Sequence, residues 1–556
     1  MLDFYGLKSV NRRGLTIAET RFSLAAMDDA KSPTGKWERA AALTDLERKR
    51  RLVARVGTKQ IALFATADGV LACNNRCPHE GYPLSEGTLD GACVLTCNWH
   101  NWKFDLHDGA NLLGGDRLRT YPVELRDGEI WVEVSDPPAE ERRREIRASL
   151  RDAFEDNEYD RMAREVARYA AAGGDPVELV AAAIGWSYDR LEFGWTHAYA
   201  GAADWLAIHD EPVRTAEQRL TCVLEVIGHI ADTVLREPVY PYADRSLPYD
   251  EASFLDAIER QDEAGTIALL NGALASGLGF ADLECAISTA ALAHYNDFGH
   301  SLIYTRACGR LIARLGQGVE RPLLQALLRG IVYATREDLI PEFRHYAAAL
   351  AAFGSGAGAD LAGLGEANVD RALDLVAAAG GEAPEALYRR LLETNAQRLL
   401  EFDLAFDMRT DRPVAENASW LDVTHAVTFG SAARHQCARF PELWPKALLQ
   451  LACFAGRNVG FVDRRQRLSG WRVPDAERFF AGAIDRLFDH GVDDYIVAIH
   501  LVKTVMAARD EFRAGAAGEA APMLLAAVNR FYHTPLKQKH VRRTVRQALD
   551  FVGREG

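Results

Sequence analysis

The sequence predicts two unlike parts, a small all-β domain followed by a large all-α domain. Three observations predict this. Short β-rich runs separated by four Asp-Gly pairs crowd the stretch from Trp37 to Asp136. Pro137-Pro138 then punctuates the chain. Beyond it, long Ala/Leu/Arg/Glu segments with helical periodicity take over. The length of 556 residues exceeds one ordinary domain. A composition of 48% hydrophobic and 26% charged residues suits a globular chain with a sizeable core.

Taken in order, residues 1–36 form an N-terminal extension. Phe22-Ser-Leu within it either adds to the β domain or belongs to a partly ordered tail. Residues 37–136 form the β domain, with strand-like runs at Leu52–Val56, Gln60–Ala65 and Ile130–Val134. Its turns carry Asp68-Gly69, Asp90-Gly91, Asp108-Gly109 and Asp127-Gly128. Residues 137–556 are all-α, as one helical domain or two packed subdomains. The helical segments include Glu140–Ala171, Glu217–Leu235, Asp282–His294, Glu385–Phe402 and Asp494–Arg509. Breaks fall at Gly173-Gly174-Asp175-Pro176, Pro241, Gly380-Gly381 and Pro474.

Charge and cysteine usage narrow the function classes. A net charge of −14 argues against nucleic acid or an anionic membrane as partner. Nine cysteines, odd and sparse, make no disulfide framework. The N-terminus shows no basic segment followed by an apolar one, so no signal peptide is expected. The longest uncharged run, Ala264–Ala281, is diluted by Thr266, Asn271, Ser276 and four glycines, and reads as a buried helix pair or helix-turn. The expectation is a soluble, cytoplasmic protein with neither membrane nor nucleic-acid partner.

The strongest chemical signal lies in the β domain. Cys77-Pro78-His79 and Cys97-Asn98-Trp99-His100 are two hooks of one thiolate and one imidazole each. Thiolates suit a sulfide-bridged ferric iron, and imidazoles suit the iron that gains the electron. Zinc is the competing occupant, because Cys₂His₂ is also a zinc set. Zinc hooks usually pair like ligands, whereas each hook here mixes the two types.

The stretch Trp37–Asp136, with His100-Asn-Trp-Lys-Phe-Asp105, resembles the Rieske domain family in its ring-hydroxylase and ferredoxin form. The resemblance implies a [2Fe-2S] cluster held by Cys77, His79, Cys97 and His100. The family's usual glycine after the second histidine is Asn101 here. Respiratory-chain Rieske proteins add a disulfide across the hooks. Its positions are Tyr82 and Trp99 here, so the resemblance implies the lower-potential class associated with oxygenases. Cys73 and Cys93 read as small buried core residues. Rieske ring hydroxylases usually continue into an α/β helix-grip domain with two closely spaced iron-binding histidines. Five residues beyond His300 stands Thr305, and the region is strand-poor, so that architecture is not expected.

The helical region carries histidines inside apolar segments: His197, His229, His294, His300, His425 and His500. Each alone reads as a hydrogen-bonded core residue. Together, beside a redox cluster, they point to a shared site. His197, His294, His300, His425 and His500 form the pool of expected metal ligands, with Asp297, Glu225 and Asp422 as possible carboxylates. His500, Lys503 and Thr504 share one stripe of an apolar helix. Lys503 there either has a partner or a desolvated role, or snorkels from the helix edge. The His197 segment, His294-Tyr-Asn-Asp-Phe-Gly-His300, Thr424-His425-Ala-Val-Thr428 and His500-Leu-Val-Lys503 faintly resemble the questin oxidase-like family of helical oxygenases. That resemblance implies an oxygenase role for the helical part and does not establish a metal.

The expected function is therefore an oxidoreductase, a Rieske-containing oxygenase. It takes electrons from an external reductase or ferredoxin and passes them to a helical pocket where O₂ meets an organic substrate, aromatic ones included. His425, His500 and Lys503 are the expected catalytic residues, with a possible second iron centre among the histidines. The alternative is an electron-transfer or redox-sensing protein whose helical part is a docking scaffold.

Overall fold

A computed structural model describes residues 35–356, 361–409, 418–535 and 541–554. The expectations for Phe22-Ser-Leu and for the Asp297 side chain fall outside what it describes. The chain divides into two compact units, Met1–Asp136 and Pro137–Gly556.

Among the described residues the first unit holds eleven strands. They are β1 (Trp37–Ala42), β2 (Arg51–Val56), β3 (Lys59–Thr66), β4 (Gly69–Asn74), β5 (Thr88–Leu89) and β6 (Val94–Thr96). Then follow β7 (Lys103–Asp105), β8 (Asn111–Leu113), β9 (Thr120–Tyr121), β10 (Val123–Arg126) and β11 (Glu129–Glu133). They form three antiparallel sheets in the orders β1-β11-β10, β2-β3-β4-β9 and β5-β6-β7-β8. One helix, Leu43–Lys49, interrupts the β pattern. The Asp-Gly pairs fall at hairpin turns as expected. At Asp127-Gly128 the register Arg126↔Glu129 leaves a two-residue loop with φ of 50° and 79°, the twist that closes a tight hairpin.

Strand β3 explains why the hooks sit on a dry base. Its side chains alternate, and both faces are covered. Ile61 and Leu63 join a core with Leu46, Ile130 and Val132. Ala62 and Phe64 face the other way, into a second core with Leu84, Leu95, Phe104, Cys77 and Cys97.

The second unit is helical, and four of its helices form a closed ring. These are His197–His209, Asn296–Leu315, Trp420–Arg439 and Tyr495–Arg513, each packed against the next and the last against the first. The expected segment Glu140–Ala171 is two helices, Ala139–Glu155 and Tyr159–Ala171. Asn157 separates them in the left-handed region, at φ 52°, which the helical periodicity does not reveal. Ala264–Ala281 divides between helices Glu263–Ala275 and Phe280–Ala291, a helix-turn as expected. Among the described residues no helix is long and apolar enough to cross a membrane. All nine cysteines are free thiols.

Candidate metal centres

The two hooks are the same local device built twice. In the first, Cys77 N–H donates to the Tyr82 carbonyl, and Gly81 N–H donates back to the Cys77 carbonyl, at 2.9 and 2.8 Å. In the second, Cys97 N–H donates to Trp102 O and Asn101 N–H to Cys97 O, at 2.8 and 2.9 Å. Each loop closes only if its fifth residue turns left-handed, and Gly81 has φ 79° where Asn101 has φ 61°. Asparagine tolerates this conformation better than most residues with a side chain, which explains how Asn101 stands where the family uses glycine.

The loops place their four candidate ligand side chains in two layers. The thiols lie inside, Cys77 4% and Cys97 1% exposed. The imidazoles lie outside, with His79 Nδ1 and His100 Nδ1 only 3.1 Å apart and turned to a common point. Trp102 stacks on the His79 ring at 4.5 Å and fixes its plane. Burial pushes the Cys77 thiol up to about 11, so metal binding there must displace a proton. Buried thiols under facing imidazoles are the donor set a [2Fe-2S] cluster needs. Tyr82 and Trp99, at the positions of the respiratory-chain disulfide, stack at 5.3 Å and tie the hooks together without a covalent bond. Cys73 is fully buried in the core, with burial pushing its thiol up. Cys93 is also buried, beside Asp68 at 3.5 Å.

A second cluster closes inside the helical ring. His197, His300, His425 and His500 each offer a ligand nitrogen within 4.8 Å of the others. Neighbouring ring centroids lie 4.5–5.1 Å apart. Helix caps set their height. Ser419 and Asp494 cap two of the helices, and His425 and His500 are each the sixth helical residue. Each turns Nδ1 back to the carbonyl four residues earlier, His425 to Leu421 and His500 to Ile496 at 2.6 Å. A carbonyl only accepts, so both Nδ1 atoms carry the proton and both Nε2 atoms carry a lone pair. Those lone pairs face each other at 3.1 Å, and His300 Nε2 lies 2.8 Å from His425 Nε2.

The surroundings keep these rings neutral. Burial first, then neighbouring histidines and Lys503, hold His197, His425 and His500 well below the ordinary imidazole range. Tyr304, which sequence reasoning missed, meets His197 Nδ1 at 3.2 Å and stacks on His300. Its spacing of four residues from His300 was the available signal. Phe298, also missed, stacks on His425 at 5.2 Å from a left-handed backbone at φ 62°, rare for a bulky residue. Arg457 lies over the same Phe298 ring at 4.6 Å.

Several expected members stand apart. His294 is buried, but its Nδ1 meets the Ala334 carbonyl at 3.1 Å and its Nε2 lies 3.5 Å from Glu259. Asp422 serves the helix cap at Ser419. Glu225 accepts from Tyr159 and pairs with His490, while His229 stacks on Tyr495. No described carboxylate joins the four histidines. Lys503 does not snorkel. It is 3% exposed, its Nζ has no hydrogen-bond partner, and burial lowers its amine to about 8.

A cavity of about 300 Å³ opens beside the cluster. Ala200, Ile303, Thr428 and Lys503 line it, each three residues past one of the four histidines. All four helices therefore run the same way from the histidine layer, and the cavity is the next layer down.

With these geometries in view, the comparisons place the β domain. Residues 36–122 match the Rieske [2Fe-2S] domain family. The 4beta-methylsterol monooxygenase of Methylococcus capsulatus is 42% identical over 91 residues, covering 14% of this chain and 24% of that protein. The 3-phenylpropionate/cinnamic acid dioxygenase ferredoxin subunit of Photorhabdus laumondii is 37% identical over 81 residues, 14% of this chain and 77% of that one. The ferredoxin of carbazole 1,9a-dioxygenase from Nocardioides aromaticivorans aligns at 25% identity and a TM-score of 0.17, covering 18% of this chain and 98% of that one. The assignment rests on the sequence matches. Through its N-terminal domain the chain belongs to the Rieske [2Fe-2S] family, and that domain implies a [2Fe-2S] cluster. The family match stops at residue 122. The questin oxidase-like resemblance of the helical region still rests on its short segments alone.

Proposed function

We infer that the chain is an oxygenase in which Cys77, His79, Cys97 and His100 hold the Rieske cluster. His197, His300, His425 and His500 then hold a non-haem metal, most naturally iron, where O₂ and an organic substrate react. One observation carries the reading: His425 and His500, each anchored through Nδ1, turn lone pairs on each other at 3.1 Å. Without a cation or proton between them this contact is repulsive. A cation held by these nitrogens would turn the 2.8 and 3.1 Å contacts from repulsive to favourable. Neutral imidazoles suit iron and leave positions free for O₂. The cluster supplies one-electron transfer, and bound iron supplies O₂ activation.

The chain's own residues do the rest. The Leu421 and Ile496 carbonyls hold the tautomers of His425 and His500. Tyr304 steadies His197, and Phe298 packs on His425. The cavity receives the substrate, and Lys503 lines its histidine side with its Nζ buried. Electrons come from an external reductase or ferredoxin, by analogy with relatives named as parts of dioxygenase systems.

The competing reading is an electron-transfer or redox-sensing protein with a helical docking scaffold. The ferredoxin-subunit likeness favours it, but it leaves the facing lone pairs unexplained. Reductant-driven O₂ uptake with a panel of aromatic substrates tests the choice. Uptake should disappear in Cys77→Ala and in His425→Ala and persist in His294→Gln. Uptake unaffected by His425→Ala contradicts the oxygenase reading.

A further inference from the structure

The cavity below the histidines has a definite chemistry. It is hollow because small residues face inward seven positions past three of the histidines: Ala307, Ala432 and Ala507. Its upper end lies at Lys503, 3% exposed, and its lower end at Arg513, whose side chain is 52% exposed. Along one helix the stripe from Lys503 to Arg513 rises by ten residue steps, about 15 Å. The space therefore runs from solvent to the layer one helical turn from the histidines.

Its charges are unbalanced. Five cations line it, Lys503, Arg306, Arg310, Arg509 and Arg513, against two carboxylates, Asp204 and Asp510. Both carboxylates are engaged, Asp510 by Arg306 at 2.7 Å and Asp204 by Arg310 at 2.6 Å. Arg509 and Arg513 pair with Glu211 and Glu477. Lys503 alone of the five has no ion pair or hydrogen bond among the described residues, and its Nζ lies 6.0 Å from the Tyr304 ring centroid. A buried ammonium left so is costly, and an anionic oxygen placed against it removes the cost. A volume of about 300 Å³ accommodates one substituted ring.

We propose that this cavity binds a small organic carboxylate, with the carboxylate on Lys503 Nζ and an apolar, ring-sized body against the alanines. This names a substrate class for the oxygenase reading and depends on that reading for its catalytic meaning. Lys503 is one helical turn from His500. A carboxylate seated there holds its adjoining carbons next to the four-histidine layer.

Calorimetry on the full-length protein, as purified and after metal chelation, tests the proposal with benzoate and its neutral counterpart benzamide. Benzoate should bind at least about tenfold tighter than benzamide, with or without metal. Lys503→Met should weaken benzoate at least about tenfold and leave benzamide nearly unchanged. Ala432→Phe, which fills the space, should abolish binding of both. Equal affinity for the two probes in the unmodified protein overturns the proposal even if Lys503→Met fails to fold. So does undiminished benzoate binding to Lys503→Met. Metal analysis of the same samples separates the two failures. Selective benzoate binding without a helical metal sinks the oxygenase reading alone, and a helical metal without selective benzoate binding sinks this inference alone.

Discussion

The two histidine-bearing centres solve one problem in opposite ways. In the β domain, four ligands come from two six-residue loops, and everything that orients them lies within the loop. In the helical unit, four candidate ligands come from four helices spread from His197 to His500, and only packing brings them together. Yet both repeat a local device. The hooks share a Cys N–H bond across the loop and a left-handed fifth residue. His425 and His500 share a capped helix start, the sixth position and an Nδ1 bond to the second residue's carbonyl. Repetition sets the geometry of each part, while chain distance decides how much of it a sequence displays.

The largest expected effect separates the centres. Cys77→Ala should erase the Rieske EPR signal and leave metal in the helical unit. His425→Ala should do the reverse, lowering helical metal at least about tenfold with the Rieske signal intact. Loss of both signals from either change would merge the two sites and break the comparison.

The orienting residues come next. Tyr304→Phe removes the hydroxyl beside His197 Nδ1. It should weaken helical metal affinity about tenfold, the usual effect of losing a ligand's hydrogen-bond partner, as read by competition with a chelator. In the hooks, Asn101→Val should cost about 1–2 kcal/mol, because a β-branched residue strains at φ 61°. Asn101→Gly should be nearly neutral. Denaturant midpoints check both, and equal effects would remove the left-handed loop from the account.

The smallest effects concern pH, and the two units should respond with opposite sign. Buried Glu337 in the helical unit is pushed up to about 7, by burial first and Asp338 second. Its folded value is raised, so the stability it allows is full below about 4.5 and is lost as pH rises through about 7. Glu337→Gln should flatten that fall and stabilise the protein at pH 8 by on the order of 2–3 kcal/mol. Asp136 in the β domain is lowered to about 2 by hydrogen bonds from Arg119 and Lys59. Its contribution is present above about 3.8 and is lost as pH falls through about 2. The pair is partly exposed, so Asp136→Asn should change acid stability by less than about 1 kcal/mol. Thermal melts across pH read both signs.

The same contrast explains what the sequence disclosed. The hooks were legible because ligand identity and spacing sit within a few residues of each other, and the Asp-Gly turns marked the hairpins around them. The helical site was legible only as a pool. His294 and His300 are alike in sequence, both buried in apolar segments, and only the fold sends one to the cluster and the other to the Ala334 carbonyl. Asp422 and His425 share a helix face, which suggested a ligand pair. The pattern Ser419-x-x-Asp422 was a cap signature, and the cap is where Asp422 went. Lys503 was visible as an odd charge in an apolar stripe, but its lack of a hydrogen-bond partner depends on four helices at once.

Metal and sulfide analysis of the purified, fully reconstituted protein tests the central claim most directly. Two iron and two sulfide per chain belong to the Rieske cluster. The facing lone pairs of His425 and His500 predict about one further metal ion per chain, lost in His425→Ala while the sulfide content stays constant. Equal iron and sulfide with no further metal would contradict a four-histidine metal centre.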